Sequence, residues 1–162
     1  MNYSEQRKFA LEIFKDIPQL CDTIREGYNC FNQIFEVAKT YRTQILKIVK
    51  NIEIPNYWAY LWARDIGDKD VMIKKITDSY WAYLWALNIG DKDVMIQKIT
   101  DSYWAYYWAR FIGNRDVMIE KITESEWAFR WAIDIGDHEI MRDRVTDPFW
   151  IQKWNENYVL QH

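Results

Sequence analysis

Ten tryptophans fall on two ladders with one spacing. Trp58, Trp81, Trp104, Trp127 and Trp150 form the first, and Trp62, Trp85, Trp108, Trp131 and Trp154 the second, each rung 23 residues after the last. Gly67, Gly90, Gly113 and Gly136 share the period, as do Met72, Met95, Met118 and Met141. A fold that uses each segment once has no reason to place every tryptophan this way. A fixed period of about 20–50 residues marks an architecture in which short units each bury their apolar face against the next. Four full repeats span 55–77, 78–100, 101–123 and 124–146, and a partial fifth begins at Asp147.

The second repeat, DSYWAYLWALNIGDKDVMIQKIT, reads as two short helices. Asp78-Ser79 supplies an N-cap for WAYLWALNI, Gly90 suits the left-handed position past a helix end, and Asp91 is placed to cap KDVMIQKI. Asp93 in the first turn and Lys98 in the last match the helix dipole. Neither helix is long enough to stand alone, so stacking must stabilise both. On a helical wheel with the first tryptophan at zero, the second falls near ~40°, the isoleucine of the Ile-Gly pair near ~80°, and the two alanines near ~100° and ~140°. These five positions are identical in all four full repeats. The small and large residues of this arc make an inter-repeat core, and the Val/Ile, Met and final Ile/Val of the second helix are expected to supply the matching face. Where earlier repeats have alanine the last has Ile151 and Asn155, and Arg142 replaces the isoleucine of Ile73, Ile96 and Ile119. Both changes read as a C-terminal cap.

The opposite face of the first helix differs between repeats. Its candidate partner-binding residues are Tyr80, Leu84, Leu87, Tyr103, Tyr107, Arg110, Phe111 and Arg130. Aromatic and aliphatic residues with an arginine rim are an interface composition. An equal alternative is that the N-terminal segment folds over this face.

The period D-x-x-W-A-x-x-W-A…I-G-D-x-D-V-M-I-x-K-I, repeated over 55–154, resembles short α-helical repeats of the leucine-rich-variant and HEAT-like families. The resemblance implies a right-handed or gently curved superhelix of paired helices. Some members of these families carry a cysteine-ligated iron–sulfur cluster. This chain has only Cys21 and Cys30, so no cluster is carried over and no cofactor is expected.

Residues 1–54 lack the repeat. Ser4 can cap a helix through Phe9, Ile13, Phe14 and Ile17, and a short helix around Leu20–Arg25 stops at Gly27. Phe31, Ile34, Ala38, Tyr41, Ile45, Ile48 and Ile52 follow in alternating steps of three and four. Phe35, Val37, Leu46 and Val49 widen that seam, which suits a helix packed in a bundle better than a coiled-coil dimer. The expected fold is therefore all-α: an α-solenoid of 23-residue two-helix repeats over 55–162, forming one structural unit with an N-terminal helical cap over 1–54.

Net charge is -3 overall, +1 over 1–54 and -4 over 55–162. Acidic repeats do not suit a phosphate backbone. The acid-free stretch 37–52 carries Lys39, Arg42, Lys47 and Lys50, a possible basic contact. No phosphate-binding loop, nucleophile elbow or HExxH occurs, so catalytic residues and a metal site are not expected. The Asp-Lys-Asp pairs lack the central glycine and distal glutamate of a calcium loop. No apolar run reaches the ~20 residues of a membrane span, and MNYSEQRKF lacks the apolar core of a signal peptide. The expectation is a cytoplasmic protein, in its own cell or a host's, and a monomer rather than a homodimer. The function expected is a non-enzymatic protein-binding module, a stand-alone stoichiometric inhibitor or adaptor such as a phage or pathogen directs at a host enzyme complex. Nucleic-acid binding and carbohydrate or small-ligand stacking on an aromatic ladder are the alternatives.

Overall fold

The computed structural model describes residues 38–158 and, ahead of them, residues 4, 7, 8, 11, 12, 15, 17 and 18. Phe9, Ile13 and Phe14, the Leu20–Arg25 segment, both cysteines, and Phe31 and Ile34 of the seam lie outside the described residues. Among the described residues the chain is all-helical, with no strand. It divides into two compact units, Met1–Ile76 and Thr77–His162, so the division falls between the first and second repeats.

In the first unit, α1 (Arg42–Val49) precedes α2 (Asn56–Asp65) and α3 (Lys69–Met72), and a 3-10 turn follows at Ile73–Lys75. Ala38 and Ile45 of the seam and Val49 beside it are buried, whereas Tyr41, Ile48 and Ile52 of the seam are half-buried. Two polar ties join the first repeat to the helix before it. Arg42 grips Asp68 with two bonds, Nε to Oδ2 at 2.7 Å and Nη2 to Oδ1 at 2.6 Å. Lys75 Nζ donates to the carbonyls of Lys50 (3.1 Å) and Ile52 (2.6 Å), groups left open near the end of α1.

In the second unit, α4 (Ser79–Asn88), α6 (Ser102–Phe111) and α8 (Ser125–Asp134) are the long helices. Each is followed by a short one: α5 (Lys92–Met95), α7 (Arg115–Met118) and α9 (His138–Arg144). After α5 and α7 the chain tightens into 3-10 turns, and α10 (Pro148–Tyr158) follows α9. Helix α6 packs between α4 and α8, and α10 packs on α8.

The long helices start as the sequence indicates. Asp78 accepts from the backbone N–H groups of Tyr80 (3.0 Å) and Trp81 (3.3 Å), and Asp101 from that of Trp104 (2.9 Å). Glu124 holds the same position but makes no side-chain cap, because its extra methylene spoils the short loop-back that suits aspartate. The helices end with two N–H groups on one carbonyl: Ile89 and Gly90 both donate to Trp85, at 2.8 and 3.0 Å. Gly90 has φ +120° and Asp91 φ +53°, a pair of positive angles that reverses the chain within two residues.

The expected cap by Asp91 is corrected here. Asp68, Asp91, Asn114 and Asp137 occupy the N-cap position in left-handed conformation, and none has a side-chain bond to the helix it precedes. The aspartates instead accept from the buried second tryptophan of their own repeat. Trp62 Nε1 reaches Asp68 at 3.0 Å, Trp85 reaches Asp91 at 3.1 Å and Trp131 reaches Asp137 at 2.9 Å. A buried N–H needs an acceptor more than a half-exposed helix start does, because water can satisfy the latter. At Asn114 the rung is broken, and Trp108 Nε1, fully buried, has no partner among the described residues.

Packing follows the arc read from the wheel in part: Ile89, Ile112 and Ile135, expected at its centre, are only half-buried, and two further differences follow. Trp85, Trp108 and Trp131 are fully buried, and Ala82, Ala86, Ala105, Ala109, Ala128 and Ala132 let neighbouring helices close on one another. The first-ladder tryptophans Trp81, Trp104 and Trp127 are only half-buried. In the short helices Met95, Met118 and Met141 are buried, as are Ile99 and Ile122, but Val94, Val117 and Ile140 are exposed. The inward stripe of α5 and α7 passes through the methionine and the isoleucine after it, and that of α9 through Met141. The valine is left outside.

Hydrogen bonds repeat along with the packing. Ser102 Oγ accepts from Thr123 N at 2.9 Å and donates to the carbonyl of Lys121 at 3.2 Å, and Ser79 and Ser125 do the same in their repeats. Lys121 Nζ donates back to the carbonyl of Ile99 at 2.5 Å, and Arg144 Nη1 to those of Ile119 and, at 2.8 Å, Ile122.

The broken rung is testable. Asn114→Asp is expected to give Trp108 its acceptor and raise unfolding free energy by about 1 kcal/mol. Asp91→Ala is expected to cost about 1–3 kcal/mol by orphaning the buried indole of Trp85. Denaturant titration measures both, and a neutral result at each position would sink the assignment.

Candidate functional site

The solvent side of α4, α6 and α8 is set by what their other side must do. Two alanines and the second tryptophan are committed to the core, which leaves positions beginning with the first tyrosine free to vary. Tyr80, Leu87, Tyr103, Phe111, Arg110 and Arg130 are exposed there, and Leu84 and Tyr107 are half-buried. Leu87 is 52% exposed and Phe111 58%.

Four of these side chains form one group. Tyr103 and Tyr107 have centroids 4.8 Å apart, Tyr107 stacks on Phe111 at 6.0 Å with 17° between planes, and the Arg110 guanidinium lies 5.4 Å from the Phe111 ring. Arg130 sits on the next helix, 5.3 Å over Trp127 and paired with Glu126 at 2.9 Å. Tyr80 joins through Trp104, 5.1 Å away. No ring contact brings Leu84 or Leu87 into this group; they stand beside it on α4.

The sequence reading missed two contributors. Trp104 and Trp127 were assigned to the core, yet both are half-exposed and bridge repeats. Tyr83 lies 5.1 Å from Trp104, and Tyr103 and Tyr106 lie 4.8 and 5.3 Å from Trp127. Their place at the margin of the wheel's arc, rather than its centre, was the available signal. Ile133, 51% exposed, occupies the slot of Leu87 one repeat over again from Arg110. Asp134 follows it on the varying face of α8. It accepts from Arg110 Nη1 at 2.5 Å and from the Tyr106 hydroxyl, while Arg110 also donates to that hydroxyl. Burial pushes the Tyr106 phenol above its ordinary range, and the bond to Asp134 pushes it the same way, so it stays a protonated donor. Arg110 thus ties α6 to α8 as well as rimming the face.

The four candidate cations behave differently from one another. All are exposed, but Arg42 is held bidentately by Asp68 and is a structural group. Its guanidinium holds the Asp68 carboxyl below the usual carboxylate range, assisted by the Trp62 indole, against a smaller opposing effect of burial. Lys39 and Lys50 lie close enough to Asp65 and Asp68 to lower them further. Lys47 is exposed on α1.

Among the described residues no group of three or more His, Cys, Asp or Glu side chains could hold a metal ion, and no helix is long and apolar enough to cross a membrane. No family model matches the chain, and neither a curated protein nor a solved structure matches it.

Because the folded Asp68 titrates below an unfolded aspartate, its contribution is fully present above the ordinary pKa near ~3.9 and is lost as pH falls through the lower folded value. Asp68→Asn is therefore expected to be less stable than the parent at neutral pH, with the gap narrowing in acid below about pH 4. Unfolding curves across a pH series check this; a gap independent of pH would place the effect elsewhere.

Proposed function

We propose that the chain is a protein-binding α-solenoid of 23-residue two-helix repeats with an N-terminal helical cap, non-enzymatic, and acting as a stoichiometric inhibitor or adaptor. The observation that carries this reading is the face formed by Tyr103, Tyr107 and Phe111, with Tyr80 and Leu87 beside it; the positions of Leu87, Tyr107 and Phe111 differ between repeats, while that of Tyr80 and Tyr103 is tyrosine in every full repeat but the fourth. Its cations are neutralised locally, Arg110 by Asp134 and Arg130 by Glu126. What remains for a partner is ring surface and phenol hydroxyls, the chemistry of an interface core. A nucleic acid would need clustered cations, and of the four on and before α1, Arg42 is already paired.

A second reading rests on Trp104 and Trp127. Half-exposed indoles set among tyrosines are also a stacking platform for a sugar or other flat ligand.

Affinity capture from a host lysate at low and high salt, with and without nuclease, separates these readings when it is run beside Leu87→Ala and Phe111→Ala. Both side chains are more than half exposed, so the melting temperature is expected to hold while partner affinity falls by about tenfold or more. Arg110 is a poorer probe, since its reversal would also set two acids against each other beside Tyr106. Retention of the partner by both variants would remove this face, and capture abolished by nuclease would favour nucleic acid.

A further inference from the structure

The last repeat ends in a cleft of about 340 Å³ lined by Arg142, Val145, Ile151, Trp154 and Asn155. We propose that this cleft binds a carboxylate carried on an apolar body, by charge complementarity with Arg142.

The chain itself supplies the template. Three times the second tryptophan of a repeat donates its indole N–H to the carboxylate six residues later, at Asp68, Asp91 and Asp137. In the first of these an arginine completes the grip, Arg42 holding Asp68 from one side while Trp62 holds it from the other. Trp154 is the corresponding tryptophan of the last repeat, and the sixth residue after it in the sequence is Leu160. The sequence thus has no acid at the position that Asp68, Asp91 and Asp137 hold. It does provide an arginine, because Arg142 stands where Ile96 and Ile119 are buried against the next repeat. Neither the Arg142 guanidinium nor the Asn155 amide makes a hydrogen bond or ion pair among the described residues, whereas Arg110, Arg130, Arg144 and Lys153 are all engaged. A guanidinium with no partner among the described residues, sharing the cleft with an amide and with the apolar surface of Val145, Ile151 and Trp154, selects an anion that brings its own apolar part. The volume lies in the range of small-molecule sites.

A free fatty acid and a peptide's C-terminal carboxylate share this chemistry, so both are used as probes: octanoate below its micellar concentration, and N-acetyl-leucine. Octanol and N-acetyl-leucinamide are the neutral counterparts. The indole N–H resonance of Trp154, assigned by its absence from Trp154→Phe, is followed through each titration of the full chain. A saturable shift with either carboxylate, at least about tenfold weaker with its neutral counterpart and weakened about as much by Arg142→Met, is expected. A response to octanoate alone identifies a fatty-acid type of ligand, and to N-acetyl-leucine alone a peptide terminus. Asn155→Ala gives a second variant, expected to lose affinity with an unchanged circular dichroism spectrum. Equal binding of the neutral analogues, indifference to both variants, or no shift by either carboxylate up to about 10 mM overturns the proposal.

Discussion

A buried indole N–H must find an acceptor, and this requirement organises each repeat. The second tryptophan fills the core between helices, so its nitrogen is carried out of reach of water. The acceptor is brought to it by a residue held at φ near +55° immediately after the glycine. Aspartate tolerates that conformation better than most residues and carries a short, strong acceptor. The reversal of the chain, the start of the short helix and the satisfaction of the core are therefore one event. Asn114 keeps the backbone half of the device and loses the other half, which makes the third repeat the place where the two can be told apart.

A second set of bonds fixes repeat to repeat. The serine at the first helical position satisfies the chain entering the next repeat, and the last cation of a repeat reaches back to carbonyls of the one before. Beside these bonds, and the tyrosine or phenylalanine that leans on the following repeat's first tryptophan, the outer face joins repeats through Tyr80, Tyr103, Arg110 and Asp134 and leaves Leu87, Phe111 and Ile133 exposed. Freedom from packing permits that face to carry rings that differ from one helix to the next.

Much of this was legible in the sequence because it is periodic. The two ladders gave helix positions, helix ends at glycine, the cap at Asp78 and the burial of the alanines. What was not legible involves contacts between residues whose spacing has no simple helical meaning. Asp91 looked like a cap because a single sequence shows that it precedes a helix, and does not show that an indole six residues earlier needs it more. Val94, Val117 and Ile140 looked inward because an apolar residue beside methionine fits an α-helical stripe; all three are exposed, Ile140 in a helix that has no 3-10 turn, so the inward stripe runs through the methionine next to them. Trp104 and Trp127 share a residue type with the core and lie at the edge of its arc, where an angle of ~40° on a wheel decides exposure. Arg42 and Asp68, 26 residues apart, are joined by tertiary structure alone.

Because each of these inter-repeat bonds runs between positions a fixed number of residues apart, both halves of every one are contained in any two successive copies. Inserting a second copy of 101–123 after the first would set its lysine against the carbonyl of the preceding isoleucine, as Lys121 now stands to Ile99. It would also set its first tryptophan against Tyr106, where Trp127 now lies. The tie from Arg110 and Tyr106 to Asp134 is the exception, because a second copy would set Phe111 where Asp134 now stands. Each added copy would bring one more set of these inter-repeat bonds and one more set of outward side chains.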